Sequence, residues 1–96
     1  MPLELVRLEA CPYNKLMRID FDPRKSERNA RERGLPFTAV KHFDWENAVF
    51  CEDQRFDYPE TRFIGLGKIG TRVHVMCFTP VEGGIRVISL RKANPR

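Results

Sequence analysis

The sequence lacks most of what metal, nucleotide and disulfide chemistry would need. It has two histidines, and its three cysteines, Cys11, Cys51 and Cys77, lie far apart. An odd, scattered cysteine set argues against a disulfide framework and against zinc, and suits a reducing cytoplasm. Each thiol reads as a small core residue. No apolar run approaches the length of a membrane span, so no membrane partner is expected. The first residues, "MPLELVRLEACPYNK", mix acids into their apolar run, unlike a secretory signal. There is no repeat, no low-complexity tract and no linker. "GLGKIG" has a G-x-G-x-x-G spacing at Gly65, Gly67 and Gly70. It falls between two predicted strands with no helix after it, so a dinucleotide reading fails and a hairpin role is expected. No metal-ligand spacing occurs and no cofactor is expected. His74 alternates with apolar residues and reads as a core histidine; His42 falls in a short helix beside Phe43.

What the chain does have is positive charge in one place. It carries 17 Lys+Arg against 13 Asp+Glu. Arg86, Arg91, Lys92 and Arg96 fall in the closing "RVISLRKANPR", which has no acid; without them the bases equal the acids. Residues 44–60 are the counterweight, with Asp44, Glu46, Glu52, Asp53, Asp57 and Glu60 against Arg55 alone. Basic charge clustered in this way points to an anionic ligand, nucleic acid foremost.

A chain of 96 residues makes one small domain. Residues 1–16 stand apart as an N-terminal extension, a strand or a short helix, and residues 17–96 form the domain. "MRIDFD" alternates as a strand does. Asp22 and Pro23 then start a helix, and Gly34 ends it. Only Ala30 is apolar between residues 24 and 33, and five bases face two acids there. Such a helix is either held by its ends at the surface or turned towards a ligand. Phe37, Val40 and Phe43 predict a second short helix with one core face, and Trp45 an anchor for the turn after it. "NAVFCED", "RFIGLGK", "VHVMCFT" and "IRVISLRK" read as strands. "QRFDYPET" joins the first two of these, and "VHVMCFT", apolar on both faces, reads as the central strand. The expected fold is α+β: an antiparallel sheet with two N-terminal helices packed on one side.

The residues left for chemistry are arginines. Arg62 begins one strand, Arg86 lies within the last, and Arg91 and Lys92 close it. Period 2 puts Arg86 and Lys92 on one face and Arg91 on the other, unless a bulge intervenes. An arginine inside an apolar strand must reach an acid, a carbonyl or a ligand. For Arg86 the choices are an acid from residues 44–60 or a phosphate.

Residues 17–96 resemble the BrnT family of bacterial toxins, within the RelE-like ribonucleases. "FDPRKSERNARERG" is similar to the family's opening segment at Asp22, Lys25, Asn29 and Gly34. "EDQRFDYPETRFIGLG" is similar at Glu52, Asp53, Arg55, Asp57, Tyr58, Glu60, Arg62, Leu66 and Gly67. "RVHVMCFTP" is similar to its apolar strand, and "RVISLRKAN" to its C-terminal signature at Arg86, Ile88, Ser89, Arg91, Lys92 and Ala93. The chain departs from the pattern at Glu32-Arg33-Gly34, where the family has Lys-His-Gly, at Phe78 for a frequent tyrosine, and at Pro59 for a glycine.

The resemblance implies a RelE-like toxin domain over residues 17–96, the toxin of a type II toxin–antitoxin system. It would cut RNA in the cytoplasm and stop translation. Its partner would be a small ribbon-helix-helix antitoxin, with DNA bound only through their complex. A metal-free cut uses the RNA's own 2′-hydroxyl, so the protein must neutralise the phosphorane and move two protons. The expected phosphate clamp is Arg62, Arg86 and Arg91. Lys25, Arg33 and Lys92 are the expected RNA-binding cations, with Glu52 or Asp53 as base. Tyr58 and Phe78 could stack a base, although turn or core packing suits both. The missing histidine leaves one alternative, a nucleic-acid-binding or antitoxin-binding domain without catalysis.

Overall fold

The computed structural model describes residues 18–94. The expected extension over residues 1–16, Cys11 and Arg96 lie outside the described residues. Strand β1 is Arg18–Asp20, helix α1 is Pro23–Arg33, and a 3-10 helix runs Phe37–His42. Strands β2 (Val49–Glu52), β3 (Phe63–Ile69), β4 (Arg72–Val81) and β5 (Gly84–Lys92) follow. The expected α+β order of elements is therefore present. The five strands lie in the order β1-β5-β4-β3-β2. From β2 to β5 the chain is an antiparallel meander with β4 at the centre. β1 joins the far side, parallel to β5. The sheet is thus mostly antiparallel, because the last strand of the meander returns beside the first strand of the chain.

The helical layer also differs from the expected pair of α-helices. Phe37, Val40 and Phe43 recur every three residues, the period of a 3-10 helix, and all three are buried. They pack with Phe50, Phe63, Met76, Phe78, Ile85, Val87 and Leu90 in one core. Trp45 anchors the following turn as expected. Its ring stacks on Phe50 at 5.4 Å and meets Phe43 and Phe78 edge-on.

Helix α1 buries polar residues instead. The Asp22 carboxylate accepts from the Arg24 amide, and Gly34, at φ 67°, donates back to Ala30. Ser26 is the buried residue of the helix, and its hydroxyl accepts from the Phe37 amide at 2.9 Å. The Asn29 side chain donates to the carbonyls of Leu35 and Leu90. Leu90 lies in the part of β5 beyond the β1 pairing, where a strand edge has unpaired backbone groups. The helix is held by its ends and by two short polar side chains.

The glycines of β3 have another role than the hairpin one expected for them. Gly70 alone serves the β3–β4 turn, with φ 69°. Gly65 and Gly67 lie within the strand on its buried face. A Cβ at Gly65 would stand 2.7 Å from the Phe50 ring, and one at Gly67 2.6 Å from the Phe43 ring. The two positions leave room for aromatic rings.

Candidate active site

The site rests on one irregularity in β5. Cys77 of β4 pairs with Ser89, but Phe78 pairs with Val87, so Ile88 has no partner. This is a β-bulge, and it reverses the facing of every later residue. Ile85 and Val87 are buried before it, Leu90 after it. On the opposite face, open among the described residues, the same shift aligns Arg86, Ser89 and Arg91. The plain alternation that paired Arg86 with Lys92 is overturned. Lys92 pairs with His74, a buried-face residue, and so leaves the sheet on the helix side.

The register also brings distant parts of the chain into one row. Asp20 of β1 stands beside Arg86, and Arg86 beside Thr79 of β4. Phe63 faces Phe78, so one more residue of the same ladder sets Arg62 opposite Thr79. The Thr79 hydroxyl closes this end by donating to the Thr61 carbonyl at 2.6 Å. The open face thus carries the row Asp20, Arg86, Thr79, Arg62, with Ser89 and Arg91 further along β5. Arg62 and Arg86 are two strand spacings apart, roughly 10 Å.

Each arginine is held differently. Arg86 Nε donates to Asp20 Oδ2 at 2.9 Å, with half of the arginine side chain exposed. Its acid is therefore Asp20, outside the expected 44–60 segment, and the Arg86 hydrogen bond lowers the Asp20 carboxyl below its ordinary value. Arg62 Nε donates to Glu60 Oε2 at 2.8 Å while its guanidinium lies 4.0 Å over the Tyr58 ring. Among the described residues Arg91 has no carboxylate partner; its guanidinium donates to the Lys92 carbonyl at 3.3 Å.

The loop between β2 and β3 accounts for most of the acidic motif. Asp53 has only 1% of its side chain exposed. It accepts from Arg55 Nε and Nη2 at 2.8 and 2.9 Å, from the Arg55 amide at 3.2 Å and from the Tyr58 hydroxyl at 3.1 Å. These bonds, Arg55 first, hold its carboxyl far below the usual range. A carboxylate so satisfied has no proton affinity to offer, which removes Asp53 as a general base. Glu52 pairs with Phe63 on the buried-face row, away from the arginines, and does not join them. The acids that touch the clamp are Asp20 and Glu60.

Other expected residues lie elsewhere. Lys25 and Arg33 are exposed on α1, off the sheet. Phe78 is core, while Tyr58 serves the loop. His74 is buried as expected, and its Nδ1 lies 2.8 Å from the Arg72 carbonyl, which can only accept, so the proton is on Nδ1. Burial pushes the Cys77 thiol up. Cys51 is exposed, and Ile64 of β3 separates the two cysteines in the ladder. Asp20 and Thr79 went unassigned from sequence because only strand pairing reveals their neighbours. Glu60, inside the acidic motif and two residues from Arg62, and Ser89, inside the C-terminal signature, were the available signals.

Residues 21–96 match the family model described as "Ribonuclease toxin, BrnT, of type II toxin-antitoxin system". No curated protein matches the chain.

Proposed function

The chain belongs to the BrnT family of ribonuclease toxins of type II toxin–antitoxin systems, and on that premise we propose that it cuts RNA without a metal ion and so stops translation in the cytoplasm. The observation that carries this reading is the common open face of Arg62, Arg86 and Arg91. Guanidinium groups on Arg86 and Arg91 of β5 and on Arg62, just before β3, suit a phosphate whose charge grows in the transition state, because donors fixed beforehand need no reorganisation. Arg62 and Arg86 are positioned by Glu60 and Asp20, and Arg91 has the least engaged charge.

In this mechanism the 2′-hydroxyl attacks the adjacent phosphorus. The 5′-oxygen of the next nucleotide leaves, giving a 2′,3′-cyclic phosphate and a 5′-hydroxyl. Glu60, hydrogen-bonded to Arg62, takes the 2′-proton, and the departing 5′-oxygen takes a proton from solvent water. Lys25, Arg33 and Lys92 steer the strand from the periphery. Among the described residues no three His, Cys, Asp or Glu side chains come together as metal donors. On this mechanism purified protein should cleave RNA equally in EDTA and in magnesium. Activity abolished by EDTA and restored by magnesium would refute the mechanism.

The partner proposed is a small ribbon-helix-helix antitoxin with an acidic or amphipathic segment that covers the same arginines, bringing DNA only through the complex. Opposite charge speeds such an encounter. Reversing Arg86 and Arg91 together to Glu should weaken antitoxin binding and RNA binding in parallel. One observation favours the second reading, a binding domain without catalysis. Among the described residues neither histidine joins the open face, since His74 is buried and His42 lies in the 3-10 helix. RNA binding with no cleavage product at any pH from 5 to 9 would select it.

A further inference from the structure

The β2–β3 loop holds an exposed aromatic ring inside a rigid frame. Phe56 is 68% exposed. Its ring lies edge-on to Tyr58 at 5.7 Å, with the Arg55 guanidinium 5.9 Å above it. Arg55 and Tyr58 are in turn both tied to buried Asp53. A large apolar side chain left in water gains nothing for folding, and a flat ligand that lands on it removes that surface from water. Beside it is an open cavity of about 280 Å³, whose lining includes Phe56, Asp57, Tyr58, Glu60 and Arg62. That lies just under the roughly 300–1,000 Å³ of sites for drug-sized ligands, and suits one planar ring system.

We propose that this loop is a nucleobase pocket, in which Phe56 stacks an unpaired base of the RNA whose phosphate lies on the arginine row. The proposal rests on the RNA-binding reading of the open face and deepens it. Arg62 joins the two places, because it lines the cavity and also continues the row of Arg86 and Thr79. Single-stranded RNA is read in this way elsewhere, by bases splayed onto aromatic rings and bonded along their edges. Charge sets the orientation. Asp57 and Glu60 repel phosphate, so the backbone is directed to the arginines and the base to the loop.

The lining also selects among bases. Carboxylates only accept hydrogen bonds. Guanine offers two adjacent donors, N1–H and N2–H, to the two oxygens of one carboxylate. Uracil offers a single N–H between two carbonyls, which a carboxylate repels. Of the four carboxylates that line the cavity, Glu60 is committed to Arg62, Asp53 to Arg55 and Tyr58, and Glu52 accepts from Gln54, which leaves Asp57 as the reading group and guanine as the favoured base.

The test is fluorescence anisotropy on the full chain with short labelled RNAs, each with one guanosine or one uridine made uncleavable by a 2′-deoxy sugar. The wild type should bind the guanosine strand more tightly. Phe56→Ala should lose roughly tenfold in affinity, Phe56→Trp should keep it, and Asp57→Asn should lower the preference for guanine over uracil. Equal binding by the wild type and Phe56→Ala, or no binding by the wild type, overturns the pocket. A Phe56→Ala variant that loses antitoxin instead of oligonucleotide also overturns it, since the ring would then be a protein contact. A parallel cleavage assay separates the two claims. Binding that depends on Phe56 without cleavage keeps the pocket and removes the ribonuclease reading. Cleavage unchanged in rate and position by Phe56→Ala does the reverse.

Discussion

The two faces of this sheet are built from alternate residues of the same strands, yet different physics holds them. The buried face is a problem of volume. Phe43, Phe50, Phe63 and Phe78 crowd together there, and Gly65 and Gly67 are small because the rings need the space. The open face is a problem of charge. Arg86 and Arg62 keep their orientation through Asp20 and Glu60, next to a field of modest apolar residues such as Val49 and Leu66, both well exposed. A packed face tolerates little change, whereas a face held by exposed ion pairs can lose a group and keep its fold. Function belongs on the second kind.

The sharpest way to break this comparison is within one strand. Phe63 is 1% exposed and Leu66, three residues on, 42%. Phe63→Ala should cost about 3–5 kcal/mol, a large share of the roughly 5–15 kcal/mol that holds a domain of this kind. Leu66→Ala should cost about 1 kcal/mol or less. Urea unfolding of both variants measures the contrast, and equal costs would mean that the open face is covered in solution.

Inserting one alanine between Ser89 and Leu90 attacks the alternation that the bulge leaves along β5, whereas deleting the unpaired Ile88 would keep every pair. With the insertion, either Leu90 leaves the core or Ile85 and Val87 do. The expected cost is about 2–5 kcal/mol, that of a large buried side chain, with RNA binding lost as Arg86 and Arg91 part company. An insertion variant with wild-type Tm and RNA affinity would show that the strand re-registers freely.

Acid should act on the loop more than on either face. The Asp53 carboxyl is depressed in the folded state, so its stabilisation is complete above the unfolded carboxylate pKa, about 4, and is lost as pH falls below it. Asp20 shifts in the same direction. Asp53→Asn should therefore lower Tm at pH 7, and the gap to wild type should narrow by pH 3. A constant gap across that range would exclude the ionised carboxylate as the anchor.

The smallest effect on stability should come from Arg91→Ala, within about 0.5 kcal/mol, while RNA cleavage is lost. A folded variant that still cuts removes Arg91 from the site.

Elements with a strong local pattern were legible from sequence. The caps at Asp22 and Gly34, the three-residue spacing of Phe37, Val40 and Phe43, and the four meander strands each carry their signal within a few neighbouring residues. The polar anchors Ser26 and Asn29 were not legible, because a short polar side chain looks alike whether it meets water or a backbone amide. The roles of Gly65 and Gly67 were misread because a glycine does not announce whether it supplies a turn or makes room for a ring. Within the candidate site, the arginines could be named from charge and from the C-terminal signature. The four hydrogen bonds that engage Asp53, one of the two expected bases, were not legible, since they arise only when the loop closes on it.

By itself, then, the sequence determined the α+β order of elements, the concentration of charge and the membership of a ribonuclease toxin family, because each is written in composition, period or motif. Tertiary structure alone decided which cations share a face. That outcome depends on one unpaired residue, Ile88, and on strand partners as far apart in the chain as Asp20 and Arg86. A single inserted residue reverses the alternation of a strand, and no local pattern records where the partner strand will skip.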